Sequence, residues 1–225
     1  MSALRALERF ARAASEEQRS DHAERCEVCA AYRLASHSHV VDRSAHKLCC
    51  VCGPCSVAFQ GTLAGRYVSV PTRVAVDPTF CLTNAQWETL QIPVRLAFVL
   101  RQSGQERWVA FFPSPAGATE AELSQSAWLA LTRDSTLVRL VRDDVEALLM
   151  RGNPSGTFDC FITPIDLCYE LVGIVRKHWR GFSGGEQVQR ELDRFFNQLN
   201  ARSEIVFDKR ASYRSRIGGK SGSRP

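Results

Sequence analysis

No stretch of this chain approaches the roughly 20 apolar residues that a membrane-spanning helix needs, which excludes a helical span. Nor does the start supply the apolar core of a signal peptide, because Met1 to Ser20 carries Arg5, Glu8, Arg9 and Arg12 where that core would lie. The expected compartment is therefore the cytoplasm. Excess charge is also missing from the body of the chain. The net charge is +5, but residues 202–225 hold seven basic groups and two acids; removing these from the 29 basic and 24 acidic residues leaves 22 of each. A balanced body gives no reason to expect a nucleic-acid partner for the folded core. Lysine is scarce, at four residues against 25 arginines, a bias that fits a GC-rich bacterial genome better than any mechanism. Gly-x-Ser-x-Gly, His-Glu-x-x-His and Rossmann fingerprints are all absent, and no other catalytic constellation replaces them.

What the chain has in quantity is apolar residues, at 44%, and cysteine, at nine residues. The first figure, with 24% charged residues, is that of an ordinary globular protein. In a reducing cytosol the second points to metal ligands and small core residues before disulfides. The organisation expected along the chain is an amphipathic helix or flexible N-terminus over 1–20, a cysteine-rich module over 21–62, an α+β domain over 63–201 and a basic disordered tail over 202–225. The N-terminal helix rests on Leu4, Leu7, Phe10, Ala11 and Ala14 at helical spacing.

In the main domain, alternation predicts a strand over Tyr67–Val76, and Asn84–Leu90 is a capped short helix. Val94–Arg101 and Trp108–Phe112 form a hairpin about Gln102–Gln105, and Pro113–Gly117 is a loop. Thr119–Leu131 is expected to be helical, with Thr119 and Glu122 as a capping box. Val145–Met150 and Thr157–Thr163 are strands around a Gly-Asn-Pro-Ser-Gly turn. Pro164 then opens a helix whose stripe is Ile165, Cys168, Leu171, Val172, Val175 and Trp179. A last helix from Gly185 to Asn200 turns Val188, Leu192, Phe195, Phe196 and Leu199 inward. Hairpins followed by helices, without strict alternation, specify an α+β fold with antiparallel strands and C-terminal helices.

The cysteines carry the chemistry. Cys26-Glu-Val-Cys29 and Cys52-Gly-Pro-Cys55 are two C-x-x-C pairs separated by 22 residues, close to zinc-ribbon spacing. Two intervening residues let the chain turn so that both sulfurs face one ion, and two such knuckles complete a tetrahedron. A polar break at Asp42, Arg43 and Ser44 places a short hairpin between them. Four thiolates suit zinc, or alternatively iron or an iron-sulfur cluster. Cys50, His37 and His39 are further candidate ligands, able to join this site, replace one of its members or form a second one; otherwise they are ordinary strand and loop residues, as Cys49 and His46 are expected to be. Although Cys52-Gly53-Pro54-Cys55 is the thioredoxin dithiol, Ser56–Phe59 looks more like a short strand than the long helix that motif requires. Cys81, Cys160 and Cys168 lie in apolar surroundings and are expected in the core. The glycines of Arg180–Gly185 give a weak phosphate-site signal, and a pocket between that loop and Trp128 is the enzymatic alternative.

Several segments together resemble an uncharacterised bacterial family, a domain of unknown function often encoded beside uptake nickel-iron hydrogenase genes. They are Cys26–Cys29, His37-Ser-His39, Cys50-Val-Cys52-Gly-Pro-Cys55, Phe111–Glu120, Pro164–Tyr169 and Trp179–Gly185. The resemblance implies a hydrogenase accessory, assembly or electron-transfer component, whose partner is a hydrogenase or its assembly machinery, and it raises Cys50, His37 and His39 as ligands. The expected function is that of a non-enzymatic metal-binding accessory protein with a protein partner; the alternative is a redox or metal-delivery protein on the same cysteines.

Overall fold

The computed structural model describes residues 25–61, 65–180 and 184–207. The expected N-terminal helix and the end of the basic tail lie outside them. Two compact units divide the chain, Met1–Val70 and Pro71–Pro225.

In the first unit, β1 (Ser38–Asp42) and β2 (Lys47–Val51) form the hairpin expected between the knuckles, α1 (Gly53–Ala58) follows, and β3 (Tyr67–Ser69) returns to the far side of β1. All pairings are antiparallel. The turn is set by Asp42, whose Oδ1 accepts from the backbone N–H groups of Ser44 and Ala45 and from the Ser44 hydroxyl at 3.0, 3.3 and 2.6 Å. Its Oδ2 receives Arg66 Nε and Nη2 at 3.0 and 2.6 Å, joining the turn to the entry of β3. The Arg66 guanidinium and Ser44 hydroxyl hold the Asp42 carboxyl well below the usual carboxylate range. Alternation sends Val40, Cys49 and Val51 into a small core shared with Cys26 and Cys52.

The second unit is built on a seven-stranded sheet in the order β10-β4-β9-β8-β5-β6-β7, antiparallel except for β10 (Glu204–Ile205) against β4 (Ala75–Val76). The central strands are β5 (Leu96–Gln102), β6 (Arg107–Ser114), β8 (Glu146–Gly152) and β9 (Phe158–Pro164). Period-two alternation makes both sheet faces apolar, so both are covered. Ala97, Val99, Leu148 and Met150 face a core with Trp87 and Leu90 at the end of α2 (Asn84–Thr89), Trp128 of α3 (Gln125–Thr132) and Leu137 of α4 (Thr136–Leu140). On the opposite face Phe98 lies 6.4 Å from the ring of Tyr169 in α5 (Ile165–His178), and Phe161 lies 6.3 Å from Phe196 in α6 (Gly185–Ala201). The buried stripes of α5 and α6 are those the sequence specifies, except that Trp179 caps α5 and is only half-buried.

Several expectations change. Thr119–Leu131 is not one helix: Gly117–Ala121 is strand β7, paired with β6 through Phe112↔Thr119 and Ala110↔Ala121, and α3 starts later, capped by Ser124. Pairing along an available sheet edge overrides the helical preference of Ala118, Glu120 and Ala121. The strand expected over Tyr67–Val76 is two strands, β3 and β4, interrupted where Pro71 offers no N–H to a ladder. Cys81 is exposed, because burial of the next residue, Leu82, in an extended segment turns Cys81 outward. Cys160 and Cys168 are buried as expected. Glu204–Ile205, within the stretch read as tail, form β10.

Candidate metal centre

The first knuckle is folded by its own backbone: Cys26 N–H donates to Ala31 O at 2.7 Å, and Ala30 N–H donates to Cys26 O at 2.8 Å, with Ala30 left-handed at φ 61°. Glu27, between the two cysteines, fixes the knuckle to the hairpin. Its N–H donates to Cys50 O at 2.9 Å, and its carboxylate accepts from Cys50 N–H at 2.5 Å and from Lys47 Nζ at 2.6 Å. Although burial pushes the Glu27 carboxyl up, Lys47 and the Cys50 amide bring it below its ordinary value.

The second knuckle is helical. Gly53–Ala58 is α1, not the expected strand, with Cys52 at the N-cap and Pro54 in the first turn, where its fixed φ suits a helix start. At six residues it lacks the long helix of a thioredoxin site.

Folding these two turns against each other brings the sulfurs of Cys26, Cys29, Cys52 and Cys55 within 4.8 Å of one another. Cys29 Sγ and Cys52 Sγ are 3.6 Å apart. A tetrahedral ion with metal–sulfur bonds of about 2.3 Å has a sulfur–sulfur edge of about 3.8 Å, so the quartet is sized for one. Cys26 and Cys52 are buried, Cys55 is half-buried and Cys29 is exposed. Burial pushes the Cys26 thiol up, but the backbone N–H groups of Cys29, Cys52 and Val28 more than offset it and lower it to about 6. For Cys55, burial and then the neighbouring thiols of Cys29, Cys52 and Cys26 act together to raise it. One thiol thus ionises readily and opposes the ionisation of another, a charge conflict that a shared cation removes. This is a four-sulfur group that can hold a metal ion, and its donors match zinc and iron equally well.

The remaining candidates fall in a separate group: His37, His39 and Cys50 place one donor atom each within 4.8 Å of one another. Cys49 belongs to neither group and packs in the core, and His46 lies exposed in the β1–β2 turn. All nine cysteines are free of disulfides. Trp128, a lining residue in the enzymatic alternative, is 1% exposed and lies against Trp108 in the main core. The glycine-rich loop joins α5 and α6, which cover the opposite face of the sheet; Phe182 and its two neighbours lie outside the described residues, and Gly184 takes φ +84°, where a Cβ would come within 2.9 Å of Val188 and 3.1 Å of Trp179.

Glu27 is the positioning residue that spacing did not indicate, since its partner is a backbone amide 23 residues away. Glu27→Ala is expected to weaken metal binding by about 10–100-fold, the usual cost of losing an outer support of a metal site. Competition with a chromophoric chelator measures it; an unchanged affinity would make the carboxylate a bystander.

The fold and the sulfur quartet define an α+β protein with a cysteine-built module able to bind metal. The family of unknown function DUF5947 matches residues 25–203, and the chain belongs to that family. No curated protein and no solved structure matches the chain. Among the described residues, no helix is long and apolar enough to cross a membrane.

Proposed function

We propose that the chain is a metal-binding accessory protein in which Cys26, Cys29, Cys52 and Cys55 hold one zinc ion, and that the ion shapes a surface for a protein partner. The observation that carries this reading is the convergence of four sulfurs to within 4.8 Å of one another. Three large apolar side chains close in sequence to the knuckles, Tyr32, Leu34 and Val57, are 69%, 80% and 66% exposed and so are open to a partner. The family resemblance in the sequence directs the partner to a hydrogenase or its assembly machinery, acting in the cytoplasm, where the thiols stay reduced.

A second reading puts iron or an iron-sulfur cluster on the same thiolates. The exposure of Cys29 favours it, since an accessible ligand gives electrons a short way in. Metal analysis with a visible spectrum of anaerobically purified protein separates the two. Colourless protein with at least one zinc per chain and no iron is the expected result, iron with sulfur charge-transfer bands selects the redox reading, and protein free of both metals that takes up neither overturns both.

A further inference from the structure

The hairpin assembles a second set of donors that the four-sulfur group does not use. His39 in β1 stands directly opposite Cys50 in β2, and opposed residues of an antiparallel pair share a face with Cβ atoms about 4.5–5.5 Å apart. His37 precedes His39 by two residues, so the alternation of an extended chain returns it to the same face. The two imidazole rings meet edge to face with centroids 4.8 Å apart. One donor from each of the three residues then falls within 4.8 Å of the other two, and all three are half-buried. The packed core of this unit takes Cys49 and leaves Cys50 aside.

We propose that His37, His39 and Cys50 form a second metal site, separate from the four cysteines, for an exchangeable first-row divalent ion such as zinc. Two imidazoles and a thiolate suit zinc, copper, nickel or cobalt, whereas magnesium and calcium take oxygen donors. Three protein ligands leave a coordination position for water or an incoming ligand, in contrast to the closed set of four sulfurs. Half-buried ligands also let an exchanging molecule approach. This site stands whether the quartet holds zinc or iron.

Arg33 bears on loading. Its Nη1 lies 2.7 Å from Nδ1 and 3.2 Å from Nε2 of His37. His37 Nδ1 is also 2.8 Å from Ala35 O. With its proton on Nδ1 the ring donates to that carbonyl and leaves the Nε2 lone pair for the ion; the guanidinium, a cation lying within 3.2 Å of both ring nitrogens, then faces a donor at Nδ1 and stands against an incoming cation at Nε2. The ion therefore displaces Arg33, and removing the guanidinium strengthens binding.

Cobalt(II) titration of the reduced, anaerobic full-length chain tests this, because thiolate charge transfer reports how many sulfurs hold each ion. The wild type should take two equivalents, one with a four-thiolate spectrum and one with weaker bands that a chelator strips more easily. His37→Ala with His39→Ala should lose the weaker component and keep the four-thiolate spectrum, which also shows that the module is still folded. Arg33→Ala should bind the labile ion severalfold more tightly. Saturation of the wild type at one equivalent with a full four-thiolate spectrum would overturn the proposal, as would two equivalents in the double variant. Should the double variant lose both ions, Cys50→Ser decides: unaltered spectra with both equivalents retained would overturn the second site, and loss of only the weaker component would support it. Failure of the four-cysteine reading looks different, since the four-thiolate spectrum itself would then be missing.

Discussion

Replacing Cys52 and Cys55 together by serine is expected to release the ion and unfold the β1–β2–β3 module, while the seven-stranded sheet keeps its structure. The reason is the size of the module's core. Its buried apolar cluster is Cys26, Val40, Cys49, Val51 and Cys52, so three of five members are cysteines. Burying a Val-sized side chain contributes about 1.5–3 kcal/mol, whereas ordering each residue costs about 1–2 kcal/mol of backbone entropy. Even with Val41, Val68 and Val70 buried nearby in the unit and Val28, Phe59 and Tyr67 half-buried against the cluster, so small a set of side chains is outweighed by the cost of ordering three strands and a short helix. A structural zinc contributes about 10–16 kcal/mol, enough to decide the balance. Hydrogen exchange of the full chain read by mass spectrometry should show Ser38–Val51 losing protection and Leu96–Gln102 and Glu146–Gly152 retaining it. Protection of β1 and β2 in the double variant would mean that the module folds without its ion. A strong chelator should reproduce the effect on the wild-type protein.

The second large effect is expected at Arg73. Glu146, which opens β8, has no exposed surface, and Arg73 meets it with two parallel bonds, Nε to Oε1 at 2.6 Å and Nη2 to Oε2 at 2.7 Å. Arg142 N–H adds a bond to Oε2 at 2.8 Å, and Arg73 Nη2 also donates to Leu140 O at 2.6 Å. Arg73→Ala removes the cation of this pair and leaves a buried carboxylate without it, a change that costs about 3–5 kcal/mol. Against a typical total of about 5–15 kcal/mol, that is a large fraction of the stability. Denaturant unfolding should show a lower midpoint with an unchanged slope. Arg73→Met combined with Glu146→Met should recover most of the loss, because desolvation of the pair offsets much of its attraction. A single substitution costing under about 1 kcal/mol would reduce the pair to the rank of a surface ion pair.

Different parts of the molecule were legible to different degrees. The four-cysteine group was readable because ligand chemistry demands fixed residue types at short spacing, and the polar break at Asp42 marked the hairpin turn that lies between its halves. α5 and α6 were readable because a helix buried on one side writes its period into the sequence. β7 was not, since its helix-favouring residues become a strand only through the partner edge of β6. The short β10 was equally hidden, as a two-residue parallel pairing leaves no periodicity to detect. His37, His39 and Cys50 were visible as candidate donors, but their grouping depended on register: only the pairing of His39 with Cys50 puts the imidazoles and the thiol on one face. A slip of one residue would have turned Cys50 to the opposite side.

The last residues of β2 have a consequence for filling order. Cys50 belongs to one donor set and Cys52, two residues on, to the other, while Glu27 ties Cys50 to the knuckle that carries Cys26 and Cys29. Capture of an ion by the sulfurs therefore also pins Cys50 opposite His39, so that the imidazole pair meets its thiol already in place. The two proposed sites are therefore expected to be coupled, with hierarchical loading: the cysteines first, the histidines afterwards.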